Sequence, residues 1–162
     1  MIQRRLKIFL IYYFFYCIFA VSIGVYLAFI LDTDLFISEP QKLGKDFMFL
    51  VLEHNLRNFI MYILGFLVSP ILQLTDFAGS AFHIAIAYRN LGSEETISKL
   101  IPHGLLEFPN MLLYQGMSQY LLFTLLFTKS IRATLSLMKK MIPLYLLSLI
   151  ILVIAAVLEG YF

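Results

Sequence analysis

The stretch that decides the fold is residues 8–31, IFLIYYFFYCIFAVSIGVYLAFIL, which contains no Asp, Glu, Lys, Arg or His. About 20 apolar residues, rising about 1.5 Å each, cross the hydrocarbon core of a bilayer. The segment is therefore long enough to span. Arg4, Arg5 and Lys7 precede it, and Asp32 and Asp34 follow it. A basic flank also opens secretory signals, but this apolar run is too long for one and shows no small-residue cleavage pattern. The expectation is a retained first transmembrane helix.

The remainder of the chain has the same character. Of the 162 residues, 61% are hydrophobic and 14% charged, and the mean hydropathy is +0.88. A soluble domain has roughly half its residues apolar and a quarter charged. The composition predicts an all-α, polytopic transmembrane helical bundle, one integral membrane domain over 1–162 in the cell membrane, with the lipid bilayer as its first partner. Apolar runs place about five spans at 8–31, 47–70, 71–88, 102–127 and 141–159. The third is the shortest and is interrupted by Asp76 and His83. Pro102 suits the first helical position of the fourth, where its missing N–H costs nothing.

Five spans put the amino terminus, the link near Pro70 and the link TKSIRATLSLMKK (128–140) on one side of the membrane. The links at 32–46 and 89–101 fall on the other. The first side carries Arg4, Arg5, Lys7, Lys129, Arg132, Lys139 and Lys140; the second carries Lys42, Lys45, Arg89 and Lys99. By the positive-inside rule the amino terminus is cytoplasmic and the carboxy terminus outside.

Several function classes drop out. A net charge of +2 with scattered Lys and Arg excludes a nucleic-acid partner. No glycine-rich phosphate loop and no serine-nucleophile motif occurs, so nucleotide hydrolysis and serine hydrolysis have no support. Cys17 is the single cysteine, so neither an internal disulfide nor a cysteine metal site is available. The 16 Phe and 10 Tyr are strewn through the spans as packing and lipid-facing bulk.

The polar residues that remain converge. Span two enters from outside with Glu53, His54, Asn55, Arg57 and Asn58, span four with His103 and Glu107, and span five leaves with Glu159. By helix rise, Glu107 lies ~8 Å and Asn58 ~15 Å below the outer interface. His103, Glu107, Asn110, Tyr114 and Ser118 recur at steps of three or four, one polar stripe down span four. Pro109 removes a backbone donor beside that stripe. Glu53 and Arg57 at i,i+4 read as a helix-surface ion pair, Asp76 as a cap or interfacial charge, and His83 as a hydrogen-bonding partner of a neighbouring helix. A carboxylate inside a span is expensive and marks function by default. His103, Glu107 and Glu159 are the candidate catalytic groups, with Asn55, Asn58, His54 and Asn110 as binding groups. Two chemistries stay open: the first three ligate a divalent metal such as zinc, or they serve as general acid and base.

The segment LIPHGLLEFPNMLLYQGMSQYLL resembles the stage II sporulation protein M family of small membrane proteins, marked by a PHGxxE segment that opens a late span. The matching residues are Pro102, His103, Gly104 and Glu107, with Pro109 also common there; Asn55, Asn58 and the terminal AAVLEGYF with Glu159 agree. Span three departs from the family, which shows a glycine-rich stretch where this chain has DFAGSAFHIAIAYRN. The resemblance implies one of two settings: a membrane complex with cell-wall hydrolases during engulfment, or a small protein serving maturation, export or self-protection (immunity) for a circular bacteriocin. The chain, lacking an added domain, is closer to the second. Two classes of function follow. One is an intramembrane site that cleaves or joins a hydrophobic peptide. The other is a non-catalytic scaffold whose polar groups dock another membrane protein or the peptide.

Overall fold

Apolar surroundings leave a backbone with no water to bond to, so every N–H and C=O must be satisfied within the segment, and helices result. A computed structural model bears this out. It describes residues 2–31 and 43–161, with the side chains of Ile2, Gln3, Lys99, Pro102 and His103 outside that description. Asp32 and Asp34, expected to end the first helix, also lie outside the described residues. The elements are α1 (Ile2–Ile30), α2 (Lys45–Leu64), α3 (Ser69–Thr128), α4 (Ile131–Lys140) and α5 (Ile142–Tyr161), with a 3-10 turn at Phe66–Val68. No strand occurs among the described residues.

Two segments, Arg4–Ile30 and Ile142–Tyr161, are long and apolar enough to cross a membrane. Lys45–Leu64 and Phe66–Ser98 qualify together as one broken span, for two or three in all. Large apolar side chains such as Phe14, Phe15 and Phe29 are more than 60% exposed on α1, a surface that suits lipid rather than water.

The helices depart from the apolar runs in two places. The polar link at 89–101 is helical except at Gly92, where φ 82° and ψ 175° break the helix in a conformation L-residues rarely adopt. Polarity there marks exposure, while its Leu, Glu, Lys and Arg are good helix formers. The link at 128–140 is a left-handed Lys129 (φ 49°) followed by α4. Ser130 caps that helix, its Oγ accepting from the Ala133 N–H at 3.2 Å.

The chain divides into two compact units, residues 1–39 with 70–99, and residues 40–69 with 100–162. In the first, α1 packs on the opening part of α3 around Ala28, Phe82 and Ile86. Gln73 is fully buried and donates from Nε2 to Tyr13 Oη at 3.0 Å and to Cys17 Sγ at 3.4 Å. Tyr16 donates to the Pro70 carbonyl, and Arg89 to that of Ala28. Asp76 sits two turns inside α3, away from the N-terminal position that a cap occupies. His83 is exposed, with its ring edge-on to Phe82, and makes no hydrogen bond to a neighbouring helix among the described residues.

Gly24 is the point of closest approach in this unit. A Cβ there would lie 2.0 Å from the carbonyl oxygen of Ala78, and the backbone cannot easily yield. Around Gly79 the same construction meets nothing within 4 Å. Gly24→Ala should therefore cost about 1–3 kcal/mol by overpacking. Gly79→Ala should be neutral or gain up to about 1 kcal/mol of helix propensity. Thermal unfolding of the two purified variants in one detergent reads the difference.

Candidate functional site

The second unit is built on α2, α5 and the 100–128 part of α3. Phe59 of α2 stands edge-on to Tyr114 of α3 at 5.4 Å and to Tyr145 of α5 at 6.1 Å. Tyr62 adds a second edge contact to Tyr114 at 5.5 Å. Hydrogen bonds fix the register of these rings. Ser118 Oγ donates to the Tyr62 carbonyl at 2.7 Å, and Asn110 Nδ2 donates to the Ser148 carbonyl at 3.1 Å. The Gly44 N–H donates to the Gly160 carbonyl at 2.8 Å. A Cβ on Gly160 would sit 2.4 Å from Met48 Cβ, so glycine lets α2 and α5 touch at that end. These pairings run α2 and this part of α3 in the same sense, with α5 opposed to both.

At the end where α5 finishes, Asn55 Nδ2 of α2 donates to Glu107 Oε1 of α3 at 2.7 Å. Glu159 of α5 lies within electrostatic range of Glu107. Its Oε2 is buried with no hydrogen-bond partner among the described residues. Three helices thus bring an amide and two carboxylates to one place. Chemically the group can accept a proton, hold a cation, or accept hydrogen bonds from a peptide.

The other candidates are distributed as follows. Asn58, one turn beyond Asn55, is half-buried. His54 is exposed. Asn110 is 2% exposed and serves as a tie to α5, with its Oδ1 buried and without a partner among the described residues. Tyr114 and Ser118, which complete the polar stripe on α3, are buried. His103 lies one turn before Glu107 along the helix, and its side chain is outside the described residues. Among the described residues no group of three or more His, Cys, Asp or Glu gathers to hold a metal. Glu53 and Arg57 are both exposed, and no ion pair joins them among the described residues. Sequence reasoning missed Tyr145, Ser148 and Gly160. Their signal is the α5 row Ser148, Leu152, Ala156, Gly160, a buried face at four-residue steps of mostly small residues.

Two helices, or three with the broken pair, long and apolar enough to cross a membrane give the chain the character of a helical membrane protein. The family model for Stage II sporulation protein M matches residues 8–162, and the chain belongs to that family. No curated protein and no solved structure matches it.

The Asn55–Glu107 bond is part-buried, and removing a hydrogen bond to a charged group costs about 1–3 kcal/mol. Asn55→Ala should destabilise the protein by that amount. A double-mutant cycle with Glu107→Ala should return a coupling of about 0.5–3 kcal/mol, read from unfolding in detergent. Additive losses would mean that the two side chains do not interact.

Proposed function

We propose that this chain is a multi-pass cell-membrane protein with five spans, its amino terminus inside and its carboxy terminus outside. The parallel sense of α2 and residues 100–128 supports this count. Two segments that enter from the same face need a crossing between them, and 71–88 is the apolar run available. The antiparallel α5 then ends outside, in agreement with the balance of Lys and Arg. With Cys17 replaced by Ser, single cysteines at positions 38 and 93 should label from outside and one at position 130 from inside. Internal labelling at position 93 would reject the third crossing.

The same proposal assigns an intramembrane site near the outer leaflet, acting on a small hydrophobic, circular bacteriocin-like peptide in its maturation, export or self-protection. The observation that carries it is the Asn55–Glu107 bond beside the unpartnered Oε2 of Glu159. His103, Glu107 and Glu159 act either as ligands of a divalent metal such as zinc or as acid and base. In peptide cleavage they direct water onto the carbonyl carbon as the C–N bond breaks and the amine takes a proton. Asn55 and Asn58 hold the peptide backbone.

Glu107→Gln is the decisive variant, because it keeps shape and hydrogen-bonding capacity and removes the charge. Gln is also cheaper than a carboxylate in a span, so the variant should insert and fold. Activity, measured as processing of or tolerance to a co-expressed circular bacteriocin-like peptide, should be lost. Full activity would overturn the catalytic reading.

A second reading, a scaffold that docks a partner membrane protein such as part of a cell-envelope remodelling complex, has its own support. Glu53, His54 and Arg57 are exposed on α2, and a charged side chain at mid-span costs about 2.5–3.5 kcal/mol on insertion scales. A partner with complementary polar groups removes that cost. Under this reading, replacing those three residues by Ala abolishes activity and Glu107→Gln does not.

A further inference from the structure

At the opposite end of the second unit, charge and shape combine differently. Between Glu107 and Glu159 the chain carries no Asp or Glu, while Lys129, Arg132, Lys139 and Lys140 bring four cations. All four are exposed, and none forms an ion pair among the described residues. Arg132 lies at the start and Lys139 and Lys140 in the last turn of α4, the short helix that leads directly into the apolar α5, and Lys129 precedes it.

The faces of α4 are sharply separated. Ile131, Leu135 and Met138 recur at steps of four and three, and Arg132, Ser136 and Lys139 form the row beside them. Both rows line one open groove of about 820 Å³. Ile63 of α2 and Ile142 and Tyr145 of α5 close its far wall. That volume lies within the roughly 300–1,000 Å³ of small-molecule sites. The walls are almost wholly apolar, and the only charges on them are the cations Arg132 and Lys139. Tyr145 adds an independent feature: it is 8% exposed, and its hydroxyl is buried with no hydrogen-bond partner among the described residues.

From this juxtaposition we infer that the groove between α4, α5 and the end of α2 holds one anionic phospholipid. An acyl chain fills the apolar walls, and Arg132 and Lys139 meet the phosphate seven residues apart on one helix face. The Tyr145 hydroxyl supplies the hydrogen bond that a glycerol ester carbonyl accepts. An amphipathic helix at the start of a span lies at the membrane interface, where anionic headgroups are concentrated on the cytoplasmic leaflet. A zwitterionic lipid offers the same tail but a headgroup whose own cation opposes the two side chains. This inference is independent of the peptide reading and involves no residue of the Asn55, Glu107 and Glu159 cluster.

The test is native mass spectrometry of the full chain, released from detergent after titration with phosphatidylglycerol or phosphatidylcholine. One phosphatidylglycerol should be retained per chain, with phosphatidylcholine bound more weakly. Arg132→Gln with Lys139→Gln should weaken phosphatidylglycerol roughly tenfold or more. Lys129→Gln with Lys140→Gln, which removes the same charge away from the groove, should not. Ser136→Phe, which fills the groove and leaves the charge intact, should abolish retention. Arg132→Lys with Lys139→Arg should preserve it, which excludes misfolding as the cause. Equal retention of the two lipids, equal losses in both double-Gln variants, or undiminished binding by Ser136→Phe would each overturn the inference.

Discussion

The second unit depends on the constraint that a carboxylate cannot be left unanswered on an apolar helix. Glu107 is half-buried on α3 beside Leu105, Leu106, Phe108 and Met111, and a carboxylate that gives up part of its water is costly unless it is hydrogen-bonded. Asn55 answers it from α2. Once that bond is made, α2 and α3 have one register, and the contacts two and three turns further along follow from it. Tyr62 presents its carbonyl to Ser118, and Phe59 and Tyr62 close on Tyr114. Hydrophobic attraction cannot set such a register, because lipid tails are as apolar as the side chains. Directional hydrogen bonds and close-packed small residues can.

Small residues carry the other half of the design. Gly160 on α5 meets Met48, and Gly24 on α1 meets Ala78, each with no space for a Cβ. Both glycines sit where the neighbouring helix backbone supplies van der Waals contact and, at Gly160, a hydrogen bond to the Gly44 N–H. A bundle held this way resists sliding, because moving either helix by one residue puts a side chain where only hydrogen fits.

The sequence makes the helices legible and much of their contact pattern illegible. Residues 8–31 announce a helix because the run is long, apolar and free of Asp, Glu, Lys, Arg and His. The stripe Glu107, Asn110, Tyr114, Ser118 announces an inward face because its spacing matches the helical turn. The helical course of 89–101 is hidden, since polarity reports exposure and not backbone geometry, and the break there is a single residue, Gly92. The partner of Asn110 is hidden for a different reason: it is the carbonyl of Ser148, a group every residue possesses. Gln73 with Tyr13 is equally silent, because a lone glutamine in an apolar run has no periodic partner to betray it.

What emerges is a unit polarised along its length. From Ile142 to Glu159 is 17 residues, or ~25 Å of helix, with Glu107 and Glu159 at one end and the four cations of residues 129–140 at the other. The acid-free interval between Glu107 and Glu159 makes this possible, since one carboxylate near α4 would pair with Arg132 or Lys139 and neutralise that end. The same distribution leaves Asn55, Glu107 and Glu159 grouped where α5 ends, and exposed cations beside an apolar groove where it begins.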